Sequence, residues 1–147
     1  MNSTSTPFKL LGSAAIIVAG LIAAAIARNP ARPMVWMVAY LVLVVGVVQY
    51  ALGVGQAALS KTAPGSATVW GQWLLLNMGH AGVIAGTLAG SFRLLVAGTI
   101  LYDVAVAWLG LTVRGNQPGM RLIGYRVLIV VMLASSAAGL VLSTLGK

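Results

Sequence analysis

The stretch VWGQWLLLNMGHAGVIAGTLAGSFRLLVAGTILYDVAVAWLGLTV, from Val69 to Val113, contains no proline and a single acid, Asp103. It is roughly twice as long as the ~20 residues a helix needs to cross the ~30 Å hydrocarbon core of a bilayer. One helix of that length would overshoot, so the pattern predicts two helices folded back on each other. The break is expected at Gly90-Ser91-Phe92-Arg93, where glycine can end a helix and arginine marks a polar end. This gives a third span from Val69 to Gly90 and a fourth from Phe92 to Val113.

The same ruler divides the rest of the chain. Phe8 to Ala27 forms a first apolar segment, closed by Arg28-Asn29-Pro30-Ala31-Arg32-Pro33, whose prolines stop the helix. Met34 to Leu59 forms a second, opened by Trp36 and Tyr40 in the manner of an aromatic belt. Ser60 to Thr68 is a polar connection, Arg114 to Gly119 a loop, and Leu122 to Leu145 a fifth segment. Within the first segment the apolar stretch Leu10 to Ala27, preceded by Lys9, is long for the ~7–15-residue apolar core of a signal peptide and reads as part of a retained span.

Composition agrees. Of 147 residues, 60% are hydrophobic and 7% are charged, against about 25% charged in an ordinary soluble domain. Ten charged side chains cannot clothe a domain of this size in water. The expected fold is an all-α integral membrane protein, a single membrane domain over residues 1–147 forming a compact bundle of five transmembrane helices. The alternative has four spans plus a re-entrant or partly spanning third segment. That segment carries Gln72, Asn77 and His80 and five glycines, which lower both its hydropathy and its helix propensity.

Nine Lys and Arg stand against Asp103. A basic chain raises the question of nucleic acid, but these cations are scattered at the ends of apolar runs, where they serve as anchors to anionic headgroups. No nucleic-acid partner is expected. Five spans put Lys9, Lys61, Arg114, Arg121 and Arg126 on one side and Arg28, Arg32, Arg93 and Lys147 on the other, so charge selects no orientation. The expected setting is a bacterial cytoplasmic (inner) membrane, as a multi-pass protein.

Gly82, Gly86 and Gly90 form a GxxxGxxxG series with Gly79 on the same face, a pattern that lets another backbone approach closely. In the second span Gly46, Gln49, Gly53 and Gln56 share a face, so two amides a heptad apart point together. Such amides hydrogen-bond between helices or line a polar path. Asn77 and His80 lie opposite the glycines of the third span.

His80 and Asp103 are the only histidine and the only acid. A hairpin turning at Ser91 and Phe92 brings them level, near the middle of their helices. A carboxylate at the centre of a bilayer must be neutralised, hydrated or paired. The two residues are therefore expected either to bond across the hairpin and fix its register, or to form a proton-titrating or ion-contacting site together with Asn77, Gln49 and Gln56.

With no Cys, no Glu and one each of His and Asp, a three- or four-ligand metal site within the chain is not expected, and no phosphate or dinucleotide fingerprint is present. No cofactor is implied, although haem or quinone through His80 is a third, weaker reading. The functional expectation is a channel or transporter component for a small ion or solute. The alternative is a non-catalytic accessory or assembly subunit of a larger membrane enzyme complex. Either implies a homo-oligomer or a partner complex, with the lipid bilayer as solvent.

Overall fold

The computed structural model describes residues 3–113 and 119–145 and is helical throughout, with short connections. Its five long helices among those residues are α1 (Thr6–Ile26), α2 (Arg32–Leu59), α3 (Ser66–Leu88), α4 (Phe92–Thr112) and α5 (Met120–Leu145). They follow the five segments expected from the sequence to within about three residues at each end. Four of them, α1, α2, α4 and α5, are long and apolar enough to cross a membrane. At 23 residues α3 is long enough, but its polar residues and glycines make it less apolar. The expected loop from Arg114 to Gly119 lies largely outside the described residues, as do Arg114 and Lys147.

The helices fall into two compact units, Met1–Ala57 and Ala58–Lys147. In the first, a 3-10 turn at Ser3–Ser5 leads into α1, with Pro7 in the first turn where its missing N–H costs nothing. Pro33 occupies the same place at the start of α2. Small residues set the contact between α1 and α2. A β-carbon on Gly12 would stand 2.8 Å from the Gly46 carbonyl oxygen, one on Gly46 would stand 2.5 Å from Ile16 Cγ1, and one on Gly53 would run into the Phe8 ring. Within α2, Leu41–Val48 is wound as a π-helix, a wider coil that lacks the regular α-helical ladder.

In the second unit, α3 buries His80 and the series Val69, Gln72, Leu76, Gly79, Val83 and Gly86. The alternating steps of three and four in that series are those of a coiled-coil seam. The helix ends in a Schellman arrangement: Gly90 takes φ 63°, Ser91 N–H donates to the Gly86 carbonyl and Gly90 N–H donates to the Thr87 carbonyl. Only glycine adopts that left-handed turn cheaply, and α4 begins two residues later. The fourth member of the glycine series is thus a helix terminator and not a packing residue; nothing lies within 4 Å of a β-carbon built on it.

Along the hairpin the two backbones touch. A β-carbon on Gly79 would lie 2.6 Å from Tyr102 N, one on Gly82 would lie 2.7 Å from Gly98 Cα, and one on Gly86 would collide with Leu95 N. Gly98 answers from α4, with Gly82 C and Val83 N 2.5 Å from its own would-be β-carbon. The other side of α4 meets α5 through side chains, among them Ile129 against Gly110. The Tyr125 hydroxyl also lies 3.5 Å from the Leu109 carbonyl.

Outside these seams the helices are covered in exposed apolar side chains. Leu10, Ile17 and Leu21 on α1, Ile100, Val104 and Leu111 on α4, and Ile123, Val130 and Leu142 on α5 are all exposed. Almost none of the most apolar stretch of α5 is buried.

Candidate polar site at the middle of α4

Asp103 sits near the midpoint of α4, eleven residues from its first residue, Phe92. It is half-buried. Its hydrogen-bonding partner is Ser136 of α5, whose Oγ stands 2.6 Å from Asp103 Oδ1. The same Oγ is 2.8 Å from the carbonyl oxygen of Leu133, one turn earlier in α5. Around this pair Ile100 and Val104 present apolar surface, and no cation lies close along the helices that carry it. Arg93 is ten residues back along α4 and Arg126 ten residues back along α5, each about 15 Å along its helix at 1.5 Å per residue.

The hairpin brings His80 to the same level, as its turn at Gly90 requires, but gives it a different neighbour. The imidazole packs against Tyr102, ring centroids 5.3 Å apart at 48°, while Asp103, the next residue of α4, turns toward α5. The reason is angular: one residue is 100° on a helix, so the side of α4 that meets Gly79 and His80 belongs to Tyr102. Both His80 and Tyr102 are buried. The Tyr102 hydroxyl has no hydrogen-bond partner among the described residues.

The remaining polar residues divide between two roles. Asn77 is half-buried and donates from Nδ2 to the Trp73 carbonyl at 2.7 Å, one turn back in its own helix. Thr99 is buried and likewise donates to Leu95. Gln49 and Gln56 are fully buried in α2 and Gln72 is fully buried in α3. Neither amide atom of Gln49 has a partner among the described residues. Among those residues no three His, Cys, Asp or Glu side chains converge on a metal site.

Sequence reasoning missed two members of this region, Tyr102 and Ser136, and did not place Gln72 among the buried polar residues. Gln72 was legible, since it precedes Gly79 and Gly86 at heptad spacing and so shares their buried face. Tyr102 was legible too, as the residue opposite Gly79 in a hairpin turning at Gly90. Ser136 was not: it lies in the run Ala134-Ser135-Ser136-Ala137-Ala138, and nothing in the chain fixes the register of α5 against α4.

No family model matches the chain, and neither a curated protein nor a solved structure is similar to it. The functional reading rests on the residues themselves.

Proposed function

We propose that this chain is a multi-pass integral membrane protein that crosses the bilayer five times and acts as a channel or transporter component for a small ion. The membrane reading is supported by four long apolar helices whose outward faces would cost about 25 cal/mol per Å² to hold in water. The case for a fifth crossing rests on α3 lying antiparallel along α4, backbone on backbone, with Gln72 and His80 buried. A helix so attached goes where α4 goes. The helical build suits a bacterial cytoplasmic membrane, since the outer membrane is crossed by closed barrels.

The single observation that carries the ion reading is Asp103: the only acid in the chain, midway along an apolar helix, half-exposed and held by a hydroxyl. An ionisable side chain at that depth is costly enough that it marks an ion or proton pathway by default. The test is flux of protons or monovalent cations into liposomes that contain only this protein. Flux that depends on pH and disappears in Asp103→Asn is the expected result. Equal flux in that variant would remove Asp103 from the pathway.

A second reading, an accessory subunit that docks a larger membrane complex, is favoured by one observation. Ser135 and Gly139, four residues apart on α5, are both exposed, and nothing lies within 4 Å of a β-carbon built on Gly139. Small residues at that spacing are the surface on which another membrane helix packs. This reading expects a stoichiometric partner on purification in mild detergent and no flux from the isolated chain. An active homo-oligomer would exclude it.

A further inference from the structure

The oxygens of Asp103, Ser136 and Leu133 stand in a row, 2.6 Å and then 2.8 Å apart. Ser136 owns one proton. Both separations belong to the range of full O–H···O hydrogen bonds, and the Leu133 carbonyl can only accept. If Ser136 gives its proton to Leu133, the Asp103 contact needs a second proton, and the carboxyl group is the one place that can carry it. We infer that Asp103 is a proton-binding site and that this row of oxygens fits its loaded state, in which the neutral acid donates to Ser136 Oγ and Ser136 donates onward to the Leu133 carbonyl.

The surroundings argue for the same state. The groups that could neutralise a carboxylate from the elements packed on α4 are few. On α3 the titratable residue is His80, engaged with the Tyr102 ring. On α4 itself they are Tyr102, whose hydroxyl is buried, and Arg93, about 15 Å along the helix. On α5 they are Tyr125, directed at Leu109, with Arg126 beside it in sequence and Arg121 one turn earlier. None of the cations reaches Asp103 along these helices, so a proton is the counter-charge the geometry offers.

Loading and unloading then have a defined chemistry. The carboxylate takes a proton from water to become the acid, and returns it to water to become the carboxylate. In the unloaded state Ser136 must rotate its O–H away from Leu133 to serve the carboxylate, leaving the Leu133 carbonyl without that bond. The hydroxyl is thus a two-position donor whose position reports the charge on Asp103. This deepens the pathway reading by naming the proton as the ion, and it rests on that reading for its consequence but not for its geometry.

The chain offers an unusually clean test, because Asp103 is its only side-chain carboxyl. Infrared spectra of the full chain in liposomes should contain, at neutral pH, the C=O stretch of a protonated, hydrogen-bonded carboxylic acid. The band should shift in deuterium oxide, vanish in Asp103→Asn, give way to carboxylate at alkaline pH, and move to higher frequency in Ser136→Ala. A membrane-permeant carbodiimide, which reacts with the protonated acid, should label Asp103 at neutral pH and lose that labelling at alkaline pH. A carboxylate spectrum at neutral pH, with no acid band, overturns the inference even if liposomes conduct ions. An acid band in liposomes that show no flux supports the proton site while removing the pathway. Because the decisive spectrum is that of the unmodified protein, a variant that misfolds leaves the test intact.

Discussion

The two faces of α4 are built differently. Toward α3 it meets backbone with backbone: Gly79, Gly82 and Gly86 leave no space for even a methyl group against Tyr102, Gly98 and Leu95. Toward α5 it meets side chains, an isoleucine against Gly110 and a serine against Asp103. The first contact fixes register, since sliding by one residue would drive a side chain into the opposing chain. The second contact tolerates adjustment and leaves a polar pair half-exposed. A rigid hairpin therefore carries the acid, and a more loosely held helix carries the hydroxyl that answers it.

The sharpest way to break this comparison is Gly86→Val. Its β-carbon would collide with Leu95 N and stand 2.7 Å from Leu95 Cα, and backbone cannot move aside as the end of a side chain can. Overpacking a fitted interface costs about 1–3 kcal/mol, occasionally more, and this substitution is expected at or above the top of that range. Denaturation in detergent micelles would measure it. A variant as stable as the parent would mean that α3 and α4 are not held by close backbone approach.

The polar pair on the other face should be worth less. Asp103→Asn, Ser136→Ala and the double variant form a cycle whose coupling is expected near 1 kcal/mol, as for other hydrogen bonds between helices. A coupling of zero would make the contact incidental. The same faces predict a gain where α5 is open. Gly124 has nothing within 4 Å of its would-be β-carbon, so Gly124→Ala is expected to stabilise the protein by up to about 1 kcal/mol through helix propensity alone. A loss instead would indicate that another helix packs against that end of α5.

What was legible in the sequence follows the same division. The hairpin could be read because its turn is short and chemically marked: Gly90 is the residue able to end α3 in a left-handed turn, and once it is placed, Gly79 must oppose Tyr102 and His80 must lie level with the middle of α4. The side that each residue faces was harder. His80 and Asp103 are level, yet a single residue's rotation separates their neighbours, and sequence spacing alone had joined them. Ser136 was out of reach because no residue between α4 and α5 marks a turn as Gly90 does between α3 and α4, so no count along the chain aligns them. The π-helical segment Leu41–Val48 in α2 had no sequence signal either. A run of valines and leucines reads as an ordinary apolar helix.

The smallest expected effect is the most discriminating for the α3 face. The Tyr102 ring packs against His80, and its backbone and β-carbon form the wall that Gly79 meets; Tyr102→Phe keeps all of these. What it removes is a buried hydroxyl with no partner among the described residues. Holding such a group without a hydrogen bond costs about 1–3 kcal/mol, so deleting it should leave stability within about 0.5 kcal/mol of the parent, or raise it. Tyr102→Ala, which also removes the ring, should cost about 3–5 kcal/mol, the usual range for a buried aromatic. If Tyr102→Phe instead costs as much as a kcal/mol or two, the hydroxyl is satisfied in the working protein. The α3 face would then be a polar contact as well as a steric one, and the proton-handling group at the middle of α4 would extend from Asp103 and Ser136 across the helix to Tyr102 and His80.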